Sequence, residues 1–210
     1  MDQSQDHQVK EMLDEKIVAH DPITQFRQWF DDALKAGIAL PEAMTLATCT
    51  REGKPSARLV LLKQVDERGF VFFTNYKSVK ARDLDENPFA ALVFYWPQLE
   101  RQVRVEGKVE RTSAAESNEY FQSRPRESQI GALASPQSQR IESREVLEQR
   151  FSELNELYRE RPVERPDHWG GYRLVPARIE FWKGRPNRLH DRILYERQAD
   201  GTWSVARLAP

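Results

Sequence analysis

A single cysteine, Cys49, stands among 210 residues, so no disulfide can close within the chain and no thiolate cluster can hold a metal. In the run MTLATCT it reads as a small buried strand residue, with a reactive thiol as the alternative. Charge of one sign is also lacking. The 32 Lys and Arg against 33 Asp and Glu leave a formal charge of -1, which argues against the strongly basic face that a nucleic-acid backbone requires. No apolar run approaches the ~20 residues that span a bilayer. Met1 to Lys16 is polar and charged, without the apolar stretch and small-residue cleavage site of a secretory signal. These absences predict a soluble, cytoplasmic protein. The four histidines show no ligand spacing, so no metal site is expected. There is no GxGxxG or Walker-type loop, and Gly170-Gly171 reads as a bulge or turn rather than a phosphate cradle.

What is present is a chain long enough for one good core. Residues 1–20 lack apolar periodicity and read as a flexible arm or a lid; residues 21–210 read as one domain. After Pro22, Ile23, Phe26, Trp29/Phe30 and Ala33/Leu34 recur at helical spacing, and Gly37 supplies the stop. Strand-like runs follow at Met44 to Thr50, Ala57 to Val65 and Phe70 to Asn75. A short helix over Ser78 to Asn87 leads to strands at Phe89 to Trp96 and Gln102 to Arg111. Ser113 and Glu116 form a capping box for a helix ending near Arg124, and Ser143 to Tyr158 fits another. Strands return at Tyr172 to Val175, Arg178 to Trp182, Arg192 to Arg197 and Trp203 to Leu208. The expected class is mainly β with α additions, a closed or nearly closed barrel carrying peripheral helices.

Four segments carry candidate chemistry. Arg58-Leu59-Val60-Leu61-Leu62-Lys63 is an apolar strand bracketed by cations, which suggests burial on both faces; plain surface charges at its ends are the alternative. Phe73-Thr74 ends a strand, and Lys80 lies in the first turns of the next helix, whose free N–H groups suit a phosphate as well as an ordinary turn. Tyr120 and Arg124 share a helix face, and Pro125 breaks that helix before Ser128. The three donors suit a phosphomonoester or a solvated helix end. Arg188-Leu189-His190 has the alternation of an extended segment, with Arg188 and His190 on one face, fit for an anionic or phenolic substrate or for a simple strand-end hydrogen bond.

The blocks RLVLLK at 58–63, FFTN at 72–75, ERQVRVEGKVER at 100–111, YFQSRPRESQIGA at 120–132 and EFWKGRPNRLHDR at 180–192 together resemble the pyridoxine 5'-phosphate oxidase family, over nearly the whole chain from Pro22. The resemblance implies a split β-barrel that binds FMN, and a homodimer with FMN in clefts at the subunit interface. It implies FMN contacts at Arg58 to Lys63, Phe73, Thr74, Lys80, Gln102, Gln137, Ser138, Trp182 and Arg192. Substrate contacts are implied at Lys63, Tyr120, Arg124 and Ser128 for the phosphate, and at Arg188, Leu189 and His190 beside the pyridine ring, with Arg188 and His190 as the catalytic pair. The implied reaction is oxidation of pyridoxine and pyridoxamine 5'-phosphates to pyridoxal 5'-phosphate with O2, releasing H2O2; a split-barrel flavin enzyme acting on another small molecule is the alternative. Two departures stand out. Val79 replaces a cation that many members carry before the helix lysine, and the arm lacks an Arg-Arg-x-Tyr-like segment.

Overall fold

The computed structural model describes residues 13–210, which hold nine strands and five α-helices. The first helix, α1 (Pro22–Lys35), starts where Asp21 accepts a hydrogen bond from the Thr24 N–H and ends at Gly37, whose φ of 67° a side chain would disfavour. Its apolar stripe is buried as the spacing predicts, with Phe26 packed edge-on against Phe70 at 4.9 Å.

The strands β1 (Ala43–Cys49), β2 (Pro55–Leu61), β3 (Gln64–Asp66), β4 (Gly69–Asn75), β5 (Phe89–Trp96), β6 (Arg101–Arg111) and β7 (Trp169–Lys183) pair in the order β2-β1-β5-β6-β7-β4-β3. Two more, β8 (Asp191–Arg197) and β9 (Trp203–Arg207), extend from β7. Every pairing is antiparallel. The outermost strands, β2 and β3, are consecutive in the chain: the Leu62 N–H still bonds Glu42 on the β1 side, while the Lys63 N–H bonds Val71 of β4. A two-residue corner thus brings both sheet edges together, and the sheet curls into a split barrel around Phe26, Met44, Leu46, Phe72, Phe94 and Phe181.

The helices α2 (Val79–Glu86), α3 (Ala114–Ser123), α4 (Arg126–Ala134) and α5 (Arg144–Leu157) complete the chain. The expected capping box is present: Ser113 accepts from the Glu116 N–H, and Glu116 accepts from the Ser113 N–H. Glu116 also meets the buried guanidinium of Arg173 at 3.0 Å, and Arg173 reaches Asp66 at 2.7 Å. That ion triad locks the start of α3 against β7 and the β3–β4 hairpin. A second apolar cluster of Phe121, Ile130, Val163 and Trp169 seats α3, α4 and α5 beside β4.

Several expectations change. The single strand expected over Ala57 to Val65 is two, broken at Leu62–Lys63, because the chain changes partners there. Its apolar middle is not buried on both faces: β2 is an edge strand, with Leu59 73% exposed, while Leu62 enters the core and partly buried Val60 packs against it. The two strands expected from Tyr172 to Trp182 are one 15-residue strand that passes Pro176 with a bulge opposite Glu106/Gly107. Gly170 and Gly171 lie inside that strand, where a Cβ at Gly171 would press into Thr112 and Phe73. Pro125 ends α3 as expected but does not leave Ser128 outside a helix; it sits at the N-cap of α4 and places Ser128 in that helix's first turns. Arg188 is not in an extended segment either, since residues 186–188 form a 3-10 turn with Asn187 and Arg188 at positive φ. Of the expected arm, residues 1–12 lie outside the described residues. Leu13 is buried, and the Tyr195 hydroxyl donates to the Ala19 carbonyl at 2.6 Å.

At the bulge, a Cβ on Gly107 would overlap the Val175 carbonyl. Gly107→Ala should therefore cost about 1–3 kcal/mol as the strands are forced apart. Thermal unfolding checks it, each kcal/mol lowering the melting temperature by roughly 2–4 °C for a chain of this size.

Candidate functional site

The edge of β2, the ends of β4 and α3, and the start of α2 enclose a cavity of about 330 Å³. Arg58, Leu59, Val60, Leu61, Lys63, Phe73, Thr74, Lys80, Tyr120, Arg124 and Gln137 line it, together with Trp169. A second cavity of about 290 Å³ shares Arg124, Gln137 and Trp169 with the first and adds Asn75, Ser128 and the α4 backbone at Gly131. As an edge strand, β2 pairs on one side only and turns its other row of backbone polar groups toward this space.

Lys80 is 8% exposed, and its ammonium donates to Thr74 Oγ1 at 3.2 Å, Ser78 Oγ at 3.3 Å and Gln137 Oε1 at 3.0 Å. All three acceptors are neutral, and among the described residues no carboxylate pairs with it. Burial, aided by the nearby Arg58 charge, pulls its pKa down to about 8. The α2 N-terminus lies beside it, where Ser78 makes no side-chain cap and leaves backbone N–H groups open. Val79, 38% exposed, occupies the first helical position. Arg58 differs from Lys80 in having protein partners: it donates to Thr48 Oγ1 at 2.7 Å and Ser56 Oγ at 2.6 Å, and lies 3.6 Å from Asp83.

Arg124 follows α3, with its guanidinium 4.6 Å above the Trp169 ring and 5.7 Å from that of Phe121. Its Nη1 is buried without a hydrogen-bond partner, and burial lowers its pKa. Tyr120 stacks on Phe73 at 4.0 Å, and Phe73 on Trp169 at 5.4 Å. The arrangement supplies two desolvated cations, a helix N-terminus, a phenol and hydroxyls around one space, a donor set suited to two phosphomonoesters.

The remaining expected residues gather elsewhere. Gln102 faces Trp182 across β6–β7, and Trp182 faces Arg192 across β7–β8. The His190 ring packs 4.6 Å from that of Trp182. Arg192 bonds both oxygens of Glu180, at 2.8 and 3.1 Å. Arg188 and Leu189 are exposed. None of these six lines the Arg58–Lys80 cavity. The reason is geometric: Trp169 and Trp182 stand thirteen residues apart on β7, roughly 40 Å of extended chain at ~3.3 Å per residue. Leu62 points into the core, and Ser138, exposed with φ 69°, follows Gln137 at the cavity rim. Sequence reading missed Trp169, which lines both cavities. Its only signal was an aromatic beside two glycines on what reads as a turn.

Comparison with known proteins gives consistent results. A family model described as pyridoxamine 5'-phosphate oxidase matches residues 30–158, and one described as the pyridoxine 5'-phosphate oxidase C-terminal dimerisation region matches residues 169–210. The pyridoxine/pyridoxamine 5'-phosphate oxidase of Burkholderia lata is 60% identical over 200 residues, covering 94% of this chain and 93% of the relative. That of a Cyanothece species is 58% identical, covering 96% and 94%. Among solved structures, PhzG from Burkholderia lata, in complex with tetrahydrophenazine-1-carboxylic acid, superposes with a TM-score of 0.89 at 31% identity, covering 95% of this chain and 98% of that one. A pyridoxamine 5'-phosphate oxidase-related, FMN-binding protein from Nostoc punctiforme superposes at 0.71 with 20% identity, covering 88% and 97%, a likeness of fold.

The depressed pKa of Lys80 carries a pH dependence. Anion binding favours the protonated ammonium, so above about pH 8 each complex must take up a proton. Between pH 7 and 9 a phosphomonoester is already largely dianionic, with its second pKa near ~6. Its affinity should therefore fall by roughly tenfold at pH 9. Isothermal titration with proton-uptake analysis checks this, and Lys80→Met should flatten the dependence.

Proposed function

The chain belongs to the pyridoxine/pyridoxamine 5'-phosphate oxidase family, and on that premise we propose that it is an FMN-dependent oxidase converting pyridoxine and pyridoxamine 5'-phosphates to pyridoxal 5'-phosphate. The alcohol is oxidised by O2 to the aldehyde and H2O2; the amine also takes up water and releases ammonia. The observation that carries this reading is a pair of cations on one cavity, buried Lys80 and half-buried Arg124, that have no carboxylate partner among the described residues. A charge buried in neutral surroundings is costly until an anion completes it, and two such sites match two phosphorylated ligands.

The residues present fit FMN. Lys80, Thr74 and the open N–H groups at the α2 N-terminus would hold its phosphate, with Arg58 behind them and Gln137 and Ser138 at the rim. The free edge of β2 would face the polar edge of the ring system. Val79 leaves this phosphate site one cation short of many relatives. Bound FMN supplies the acceptor for a hydride equivalent from the substrate's C4' and passes electrons on to dioxygen. Lys63, Tyr120, Arg124 and Ser128 would take the substrate's phosphate, and their task is to orient C4' for that transfer.

Gln102, Trp182, Arg188, Leu189, His190 and Arg192 cannot reach the cavity of their own chain, because β7 holds them at its far end. In this reading a second copy supplies them, and the site is complete only in a homodimer. The match of residues 169–210 to a dimerisation region supports this, as does the exposed apolar row of Leu59 and Leu61 on β2. Arg188 would cover and orient the substrate ring, and His190 would contact its polar edge.

The likeness to PhzG favours one other reading, a flavin oxidase acting on a different ring system. The substrate phosphate set separates the two. Purified protein should be yellow and should consume oxygen with pyridoxamine 5'-phosphate, and Arg124→Ala should lower kcat/KM by tenfold or more, from roughly 1.5–3 kcal/mol of lost charge-assisted bonding. Flavin-loaded protein that is inert to both vitamers, yet oxidises a reduced phenazine carboxylate, would replace the first reading with the second.

A further inference from the structure

The loop between β7 and β8 carries Arg188 and His190, and it is built under constraint. Asn187 and Arg188 both sit in the left-handed region, at φ 59° and 61°, a conformation that persists only where the surroundings hold it. The Arg185 backbone N–H donates to His190 Nδ1 at 3.1 Å, and the Arg185 side chain reaches Asp191 Oδ2 at 2.7 Å. The other oxygen of Asp191 accepts from Arg207 at 3.0 Å. Arg207 in turn binds Glu15 at 2.9 Å and the Leu13 carbonyl at 3.2 Å. One carboxylate therefore joins the loop, the last strand and the N-terminal segment.

This geometry has a chemical consequence. A backbone N–H can only donate, so His190 Nδ1 must accept, and the neutral ring carries its proton on Nε2. We propose that Asp191 is a positioning residue that fixes His190 as an Nε2–H donor, by clamping Arg185 through one oxygen and Arg207 through the other. Resting on the reading of His190 as a substrate contact, the inference makes that contact a hydrogen bond given to an acceptor atom on the ring edge. Neutral His190 then has no lone pair at Nε2 with which to remove a proton.

The test reads the tautomer directly, without substrate. In flavin-loaded protein labelled with 15N-histidine, at about pH 8 where an ordinary histidine is neutral, the resonances missing from a His190→Asn sample identify the ring. The expected pattern is a protonated Nε2 and an unprotonated, hydrogen-bonded Nδ1. Asp191→Asn should mix the tautomers and lower kcat by roughly tenfold, the size that loss of an orienting partner behind a histidine commonly costs. FMN content should be unchanged, and Asp191→Glu should recover most of both signals. A native Nδ1–H tautomer would overturn the proposal. So would Asp191→Asn with unaltered spectra and kinetics. Should Asp191→Asn fail to fold, Arg207→Gln decides by the same spectra: a shifted tautomer population upholds the clamp, and an unshifted one removes it. Wild-type protein that shows the Nε2–H tautomer but ignores both vitamers would defeat the oxidase reading and leave the clamp standing.

Discussion

The hydrogen-bond ladder of β7 is the constraint on which the molecule is organised. Its first half pairs with β4, its second half with β8, and nearly all of it with β6. Close approach at the start of the strand depends on Gly170 and Gly171, which leave room for Tyr76, Thr112 and Phe73. Arg173, buried two residues further on, ties the same strand to the cap of α3. Tyr120 and Arg124 are thus delivered to one end of β7, while Trp182 and the His190 loop stand at the other. An extended strand of 15 residues, even with its bulge near Pro176, keeps these two groups of residues at opposite ends.

Cations in this protein fall into two electrostatic classes. Arg173 has Asp66 and Glu116, and Arg192 has Glu180, so their charges are met within the fold. Lys80 is buried against neutral acceptors, and half-buried Arg124 lies against aromatic faces. The contrast explains how a chain with a net charge of -1 can still hold a locally positive region: the local field comes from which cations lack carboxylate partners among the described residues, not from the total. Burial, with the Arg58 charge nearby, accordingly lowers the pKa of Lys80 to about 8.

Much of the fold was legible because it rests on local patterns. The α1 stripe, the capping box at Ser113 and the strands β5 and β6 appear within a residue or so of their expected places. Errors arose where a neighbour distant in sequence decides. Apolar residues 59–61 look like a buried strand, yet β2 lies at the sheet edge. Gly170-Gly171 looks like a turn, yet partner side chains fill the space that a Cβ would take.

By itself the sequence determined which side chains are available: the RPRxS donors, the lysine in the first turn of α2 and the NRLHDR block, whose chemistry suits small phosphates and an aromatic ring. Only the tertiary structure decided which of them meet. Lys80, Arg124 and Trp169 come from three separate elements, and the pairing of β4 with β7 gathers them. The orientation of His190 likewise depends on the N–H of Arg185, which precedes a turn with Asn187 and Arg188 at positive φ that no alternation pattern reveals. Residue type fixes what a group can donate or accept; long-range strand pairing fixes what it faces.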